Sequence, residues 1–400
     1  MKGRKMTKLS AKIFKKELKH RILPFWRNLK DPQYGGFFGY VHHDLTIEKH
    51  SDKHTIGMAR LLWAFSKAYK TLGNKEDLKM AEHAYDFLVN ELYDKTNGGF
   101  FAQVTYKGGL VSTMKHTVFQ AYTLYGLSEY YGVSNNQEVL LHAKRLFNII
   151  EEKAFRDKEN KYIEVFDGSW VPSDNNMMKR KDLTFDRTGV CYLHLLEGYT
   201  NLYKIWPDTG LKNRIQWLLD LFNQKIYNTD AKGFGIYFDE NWKQVSDSVS
   251  YGRDIESSWL IYDAIRTIRY ENDDLNQKLL EVVGHTLEVA LQEDGSFYIG
   301  MEHGQVDQHL WWYAHTEAII GYYNAFETTG DKTYYEKAKK IWHRTEKLFI
   351  DPRKNSEWLP CVNPDGSVRT SEAMVTEWKT FYHTGRLCYE MIERLERKKR

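Results

Sequence analysis

The sequence has little cysteine, no long apolar segment and almost no net charge. Its cysteines are Cys191, Cys361 and Cys388, and no CxxC pair occurs among them. This usage argues against a disulfide framework or a metal site and predicts a reducing compartment. No apolar run approaches the roughly 20 residues of a membrane span, and the basic N-terminus lacks the apolar core of a signal peptide. We therefore predict a cytoplasmic protein that does not bind membranes.

Charge and aromatic content narrow the function further. The 400 residues include 57 basic and 54 acidic residues, which give a formal net charge of +3. A nucleic-acid-binding protein carries a concentrated basic excess, so we expect no nucleic-acid partner. By contrast, 12 Trp and 27 Tyr help to raise the aromatic content to 15%. Aromatic rings suit the apolar faces of pyranose sugars, although large helical repeats also pack with aromatic residues.

A glycine-containing turn flanked by aromatic residues recurs along the chain. The two clearest copies are Tyr34-Gly35-Gly36-Phe37-Phe38 and Asn97-Gly98-Gly99-Phe100-Phe101. Six copies are separated by 63, 62, 72, 62 and 62 residues, counted between Gly36, Gly99, Lys161, Gly233, Gly295 and Glu357. The long step contains a basic, irregular stretch, which we interpret as a loop insertion at about 173–187. Each copy has the turn and flanks of a short β-hairpin.

The rest of each period carries two amphipathic helical patterns. In the first period, Ala59 to Tyr69 and Leu78 to Leu92 have apolar residues three or four positions apart. Two helices in each of six periods make twelve, and neither end resembles the polar capping repeat of an open solenoid. We therefore predict an all-α fold, an (α/α)6 barrel with short β-hairpins between helix pairs. Length does not force a second domain, so residues 1–400 are predicted to form a single domain.

Closure of the ring would bring equivalent positions of the inner helices to one end. Six large cationic or titratable side chains lie at these equivalent positions of the repeat, namely Arg60, His116, His194, Arg253, His315 and His383. Such groups are seldom buried without a partner or a ligand, because their desolvation is costly. We expect a cavity lined in this way to bind a carbohydrate or polyol, although each residue could instead cap or cross-link its own helices.

Several stretches together resemble the N-acylglucosamine 2-epimerase and cellobiose 2-epimerase superfamily. The similarity runs through nearly the whole chain and is densest at Arg60–Trp63, Gln120–Tyr131, Leu193–Tyr203 and Trp378–Ile392. The resemblance implies an α6/α6 barrel that deprotonates and reprotonates a sugar at C2 through an enediol, without a cofactor.

The resemblance also implies roles for single residues. His383 stands where the family has one acid/base, Trp378 would stack on the sugar, and Arg60 would hydrogen-bond the reacting oxygens. A Trp-Trp-x-His-Thr-Glu phrase of the family is matched, with Tyr for the second Trp, by Trp312, Tyr313, His315 and Glu317. The predicted substrate-binding residues are Arg60, His116, His194, Trp312, Tyr313, Glu317 and Trp378.

The phrase Gly252-Arg253-Asp254-Ile255-Glu256 departs from the family pattern. The family has a second catalytic His where this sequence has Arg253, whereas Glu256 is kept and would orient or tune the catalytic group. A guanidinium does not give up its proton in a protein, so it cannot act as that base. His383 could then shuttle a proton between C2 and C1, or His315 could replace the missing base. Alternatively, Arg253 could stabilise the enediolate, at reduced rate or on an anionic substrate.

Three classes of function remain open at this point. The first is a sugar 2-epimerase or aldose–ketose isomerase acting on a mono- or disaccharide by enediol proton transfer. Its candidate catalytic residues are His383, Glu256, Arg253 and His315. The second is a non-catalytic sugar-binding relative, and the third is a glycoside hydrolase or lyase, a class that also uses this fold. The expected partner is a small-molecule sugar, and the protein is expected to be a monomer or homodimer.

Overall fold

The computed structural model describes residues 8–174 and 183–397, in which twelve helices alternate between two rings. A π-helical turn that continues a helix is counted with it. The outer helices are α1 (Ala11–Glu17, continued by Leu18–Ile22 and Leu23–Arg27), α3 (Lys75–Phe87, continued by Leu88–Leu92), α5 (Gln137–Ile149, continued by Ile150–Ala154), α7 (Thr209–Leu221, continued by Phe222–Ile226), α9 (Asp273–Val289) and α11 (Lys332–Leu348). The inner helices are α2 (Thr55–Leu72), α4 (Thr117–Ser134), α6 (Gly189–Ile205), α8 (Tyr251–Ile268), α10 (Trp312–Thr329) and α12 (Tyr382–Arg397). Each inner helix contacts the next and α12 contacts α2, so the ring closes.

The two rings differ in burial as their sequences predict. The inner helix α4 is buried without interruption from Thr117 to Leu124, because it packs on both neighbouring inner helices and on the outer ring. Over Gln137–Ile149, the outer helix α5 buries only a stripe formed by Val139, Ala143, Leu146 and Phe147. Such a stripe is the pattern of a helix with one face in solvent. The inner ring is therefore the more completely buried of the two.

Glycines let the inner helices approach closely. A Cβ at Gly126 of α4 would lie 2.7 Å from the Ala59 carbonyl oxygen of α2. A Cβ at Gly198 of α6 would lie 2.7 Å from the Ala121 carbonyl oxygen of α4. A side chain larger than hydrogen would push these helices apart. The inner ring is therefore narrow enough for side chains of opposite helices to meet at its centre.

Short antiparallel pairings connect the segments that precede the inner helices. The strands are β1 (Lys53–His54), β2 (Gln103–Val104), β3 (Leu110–Ser112), β4 (Lys115–His116), β5 (Phe155–Arg156), β6 (Lys161–Tyr162), β7 (Val165–Phe166), β8 (Arg187–Thr188), β9 (Tyr227–Asn228), β10 (Gly233–Phe234), β11 (Tyr237–Phe238), β12 (Gly300–Glu302), β13 (Gln305–Asp307), β14 (Leu310–Trp311) and β15 (Cys361–Val362). β2 pairs with β1 and β3, and the other pairs are β4–β7, β5–β6, β8–β11, β9–β10, β12–β13 and β14–β15. Bridges Val249–Met301 and Val41–Val375 complete a circuit around the end of the barrel where the inner helices begin.

Each predicted hairpin contains an antiparallel pairing. Two are the ladders β5–β6 and β9–β10, and the other four are the single bridges Lys30–Phe37, Tyr93–Phe100, Leu291–Phe297 and Ile350–Trp358. The predicted (α/α)6 barrel with short hairpins between helix pairs is thus confirmed. Of the predicted insertion at 173–187, residues 175–182 lie outside the described residues.

Two expectations drawn from composition can be compared with the structure. Cys191, Cys361 and Cys388 are all buried and free, which agrees with the absence of a disulfide framework. Within residues 8–174 and 183–397, no helix combines the length and apolar character needed to cross a membrane.

Candidate active site

A cavity of about 320 Å³ lies at the end of the barrel where the inner helices begin. Every inner helix, or the segment just before it, contributes to its wall. The lining residues are Arg60, His116, Val118, Phe119, Tyr122, Val190, His194, Arg253, Glu256, Trp312, Tyr313, Trp378 and His383. All but two of the predicted site residues are among them, so residues far apart in sequence meet at one place.

His383 borders this cavity and is held from behind by a buried carboxylate. Its Nδ1 lies 2.8 Å from Oε1 of Glu317, which has no exposed surface. Because a carboxylate accepts, Nδ1 carries the proton, and Nε2 is the unprotonated nitrogen available on the cavity side. Burial and the charge of Arg386 lower the pKa of His383 well below its ordinary value. The imidazole is therefore neutral at neutral pH, as a general base must be.

A layer of buried charges lies one helical turn below the cavity. At its centre, the Arg386 guanidinium donates to Glu197 at 2.8 Å, pairs with Glu317 at 2.8 Å and also bonds Glu256. Burial alone would raise the pKa of Glu197, but hydrogen bonding to His194 and the charge of Arg386 lower it to about 2. Glu317 also accepts a hydrogen bond from the Trp259 indole at 3.0 Å. The layer fixes the carboxylates that hold the cavity side chains.

The same layer accounts for a cluster of possible metal ligands. Glu256, Glu317 and His383 offer ligand atoms that all lie within 4.8 Å of one another. The Arg386 guanidinium already bonds both carboxylates, and His383 donates Nδ1–H to Glu317. A guanidinium therefore supplies the positive charge that these carboxylates would otherwise draw from a cation.

A second chain of hydrogen bonds crosses the cavity wall from α2 to α6. Arg60 donates from Nη2 to the Tyr122 hydroxyl at 2.7 Å, and that hydroxyl lies 3.0 Å from His194 Nε2. His194 Nδ1 lies 3.0 Å from Glu197 Oε2, so Nδ1 donates and Nε2 accepts the Tyr122 proton. Arg60 also stacks on the Tyr122 ring, with its guanidinium carbon 4.3 Å from the ring centroid. The guanidinium is therefore held in one orientation at the cavity wall.

Two buried donors of this wall lack a partner. Arg60 Nε and Trp312 Nε1 have no hydrogen-bond partner among the described residues, although both side chains are more than nine-tenths buried. Buried N–H groups are seldom left unpaired, because the lost hydrogen bond costs free energy. Both residues line the cavity, but the two N–H groups are themselves buried, so a ligand oxygen would reach them only if neighbouring side chains moved.

A larger cavity, of about 650 Å³, lies at the opposite end of the barrel. Its charges are paired with one another, as in Lys70–Glu129 at 2.9 Å and Lys204–Asp263 at 2.7 Å. Burial opposes ionisation of Glu129, but the charges of Lys67 and Lys70 lower its pKa to about 2. Groups held in one charged state by ion pairs are poorly suited to proton transfer at neutral pH. The smaller cavity around His383 is the better candidate for chemistry.

Comparison with known proteins identifies the family of the chain. The sequence profile of the N-acylglucosamine 2-epimerase (GlcNAc 2-epimerase) family matches residues 36–386. The chain belongs to the N-acylglucosamine 2-epimerase family. A cellobiose 2-epimerase of Ruminococcus albus is 35% identical over 383 residues, which cover 95% of this chain and 97% of the relative. The cellobiose 2-epimerase structure from Bacillus thermoamylovorans B4167 is 38% identical and superposes with a TM-score of 0.94, over 96% of this chain and 99% of that one.

Membership of the N-acylglucosamine 2-epimerase family confirms the predicted class of protein, a carbohydrate epimerase or isomerase. A third relative, the cellobiose 2-epimerase of Dictyoglomus turgidum, is 34% identical over 390 residues, 97% of this chain and 99% of that protein. The assignment favours this class over the glycoside hydrolase or lyase that the fold alone would also allow.

His315 is a correction to the sequence-based site. It does not border the cavity, because its Nε2 accepts from the Phe297 amide at 3.1 Å and its Nδ1 donates to the Trp311 carbonyl at 3.0 Å. On a helix, His315 lies about 200° around the axis from Tyr313, which does line the cavity. The suggestion that His315 replaces the missing base is therefore wrong, and the residue fastens a hairpin to α10.

The predicted role of Glu317 is also corrected. It was predicted to contact the substrate, but in the structure it supports His383. It lies four residues after Tyr313, which is about 40° around the axis and about 6 Å deeper into the barrel. That displacement places its carboxylate under His383 and outside the wall of the cavity. Burial raises the pKa of Glu317, while the charge of Arg386 opposes this shift.

Three residues that connect the cavity wall with the layer of buried charges below it are not recognised from the sequence patterns alone. Arg386, Glu197 and Tyr122 were not predicted as site residues. Arg386 and Glu197 each lie three positions after a predicted histidine, His383 and His194 respectively. Since residues three apart share a helix face, this spacing was a usable signal for a supporting layer.

Proposed function

We propose that the chain interconverts reducing sugars by moving the proton at C2 of an open-chain aldose through an enediolate. His383 is the proposed base, because its Nε2 is the basic nitrogen on the cavity side while Nδ1–H is tied to Glu317. That arrangement is the observation on which the proposal depends.

The proposed step begins with transfer of the C2 proton to His383 Nε2. The C2–H electron pair forms the C1=C2 double bond, and the carbonyl oxygen at C1 becomes the enediolate oxygen. The imidazolium that forms is stabilised by Glu317, whose carboxylate accepts its other N–H at 2.8 Å. A carboxylate held in this way also keeps the ring in the tautomer that can accept a proton.

Arg60 is the proposed electrophile for the developing negative charge. It is 5% exposed, it is oriented by hydrogen bonds to Tyr122 and to the Trp378 carbonyl, and its Nε lacks a partner among the described residues. A preorganised donor in a site shielded from water stabilises an oxyanion more than it stabilises a neutral carbonyl. Trp312 and Trp378 also line the cavity, and Trp378 at the rim offers a ring face to the sugar.

Aldose–ketose isomerisation is the first of two candidate outcomes. His383 can return the proton to C1 on the same face while the O2 proton moves to O1, so that one base is sufficient. Isomerisation is therefore compatible with Arg253 in the cavity wall, since that guanidinium cannot serve as a second base. The second candidate is 2-epimerisation, the reaction in the names of the relatives; it needs a proton donor on the opposite face of C2.

Deuterium incorporation distinguishes these outcomes. The protein is incubated in D₂O with mannose, glucose, fructose, N-acetylglucosamine, cellobiose and mannobiose, and products are followed by NMR. When the starting sugar is an aldose, deuterium at C1 of a ketose identifies isomerisation, and deuterium at C2 of the epimeric aldose without formation of a ketose identifies epimerisation. His383→Ala is expected to abolish incorporation. The matched control is His343→Ala, which removes a half-buried histidine that pairs with Glu346 on the outer helix α11.

Two results would contradict the proposal. Exchange that survives in His383→Ala would show that another group removes the proton. Binding of a sugar without exchange at C1 or C2 would favour the non-catalytic alternative, in which the cavity binds sugars but performs no chemistry.

Further properties of the protein also stand as proposals. We keep the sequence-based expectations of a cytoplasmic location, a single domain and a monomer or homodimer. A small-molecule sugar is the expected partner, and size-exclusion chromatography with light scattering tests the oligomeric state.

A further inference from the structure

The cavity around His383 contains two arginines that no carboxylate pairs with directly. Neither Arg60 nor Arg253 forms an ion pair within 4.0 Å with a carboxylate of the described residues. Arg60 is almost fully buried and Arg253 is half-buried, and both line the cavity. Desolvating a cation without a counter-ion is costly, so such a site favours an anion that enters with the ligand.

The one carboxylate among the described residues that line this cavity is already paired. Glu256 borders the cavity, but its Oε1 bonds the Arg386 guanidinium below. Glu197 and Glu317 are held by the same guanidinium and lie in the deeper layer. The site therefore contains as many arginines as carboxylates, but their charges are separated in space. Negative charge is concentrated below the cavity, and positive charge faces it.

Helix geometry adds to this polarity. Arg253 lies in the first turn of α8, where the backbone N–H groups carry partial positive charge, and all six inner helices begin at this end of the barrel. A cation in the first turn of a helix is unfavourable unless an anion is present. The neighbouring carboxyl, Asp254, is buried and accepts from the Phe234 amide at 2.8 Å without forming an ion pair with Arg253. The position of Arg253 is therefore electrostatically unfavourable in the free protein, and an anionic ligand would offset this cost in free energy.

We infer that the substrate is a reducing sugar that carries a negatively charged group, which Arg253 binds. The inference rests on the proposed function, because it assigns the substrate class of the same cavity. Arg60 then remains available for the enediolate, and Arg253 takes a carboxylate or phosphate in the bidentate geometry that a guanidinium favours. A uronic acid and a sugar phosphate share this chemistry. Neither charge is present in cellobiose, the sugar in the names of the relatives.

The test compares three sugars that differ only at C6: D-glucose, D-glucuronate and D-glucose 6-phosphate. Binding is measured by isothermal titration calorimetry, and turnover is measured separately by NMR in D₂O. We expect at least one anionic sugar to bind about tenfold or more tightly than glucose, the scale of a charge-assisted hydrogen bond. Comparing the affinities for glucuronate and glucose 6-phosphate shows whether the site prefers a carboxylate or a phosphate. Raising the salt concentration should weaken binding of the anion and spare that of glucose.

Variants of Arg253 assign this preference to its guanidinium. In Arg253→Gln the ratio of anionic to neutral affinity should fall to about threefold or less, and Arg253→Lys should keep part of it because the charge remains. The matched control is Arg266→Gln, which removes an exposed arginine from the same helix, near Asp263 at the opposite end of the barrel. That variant should keep the preference of the wild-type protein.

Separate binding and turnover measurements distinguish failure of this inference from failure of the proposed function. Glucose binding as tightly as both anions, or an unchanged ratio in Arg253→Gln, would overturn the inference while turnover of glucose upheld the proposed function. An anionic preference that depends on Arg253 without turnover of any sugar would support the inferred ligand class and reject the proposed chemistry.

Discussion

Replacing Glu317 by Gln tests whether the carboxylate behind His383 sets its chemistry. The substitution keeps the size of the side chain and removes its charge. A Gln amide can donate to His383 Nδ1, which would reverse the tautomer and place the proton on Nε2, the nitrogen that must accept the C2 proton. The variant should therefore bind sugar but remove the C2 proton slowly.

The size of this effect follows from the geometry. Glu317 Oε1 lies 2.8 Å from His383 Nδ1, so its charge acts directly on the imidazolium formed in the proposed step. Two unit charges about 4 Å apart at an effective dielectric constant near 20 attract by about 4 kcal/mol. A barrier raised by about 4 kcal/mol slows the step by about 10³-fold. We expect kcat to fall by about that factor and KM to change little.

The assay follows loss of the C2 proton by NMR in D₂O under saturating sugar, with thermal unfolding measured in parallel. Glu327→Gln is the matched control, since it makes the same change on the same helix, where Glu327 pairs with buried Arg394 at 2.6 Å. A Glu317→Gln enzyme with kcat within about threefold of wild type would refute the assigned role, because it would show that the charge contributes less than about 1 kcal/mol to the barrier.

Three further substitutions test the supporting structure. Arg386→Met should lower the free energy of unfolding by about 3–5 kcal/mol, because it leaves buried carboxylates unpaired; urea denaturation measures the loss. His315→Ala should cost about 2–4 kcal/mol by the same method yet keep kcat, since the residue lies outside the cavity. Burial raises the pKa of Asp254 to about 7, so the folded state retains a proton that the unfolded chain releases near pH 4. The free energy of unfolding therefore falls as the pH rises from about 4 to about 7. Asp254→Asn removes this fall, so its gain in stability over wild type should be larger at pH 8 than at pH 5.

The architecture could be predicted from the sequence because its signal repeats. The period of the turns gave the number of units, and the spacing of apolar residues gave two helices in each unit. The hairpins illustrate the limit of this reasoning. The two clearest copies form only the single bridges Lys30–Phe37 and Tyr93–Phe100, whereas the weaker copies at Lys161 and Gly233 form the ladders β5–β6 and β9–β10. Hairpin length depends on packing against neighbouring segments, which a local pattern does not report.

The site was predicted less completely, and the reasons are geometric. His315 shares the phase of the repeat with His383, yet helix rotation turns it away from the cavity towards Phe297 and Trp311. A loose count of residues from each hairpin cannot resolve a rotation of 100° per residue. Arg386 was missed for a different reason. Its role depends on meeting three carboxylates from three other helices, and these contacts exist only once the ring has closed.

The separation between the cavity wall and the layer of buried charges below it also explains how the cavity can change while the barrel is preserved. On each of three inner helices, a cavity residue is followed three positions later by a member of the charged layer: Arg253 by Glu256, His194 by Glu197 and His383 by Arg386. His194 and His383 bond that layer directly, so replacing either would leave a buried carboxylate with one partner fewer. Arg253 forms no ion pair with the layer's described carboxylates, so a different side chain there would leave the layer intact. Of these three positions, 253 is therefore the one where substrate or chemistry can diverge at the lowest cost in stability. It is also where this sequence departs from the acid/base histidine that its resemblance to the family implies.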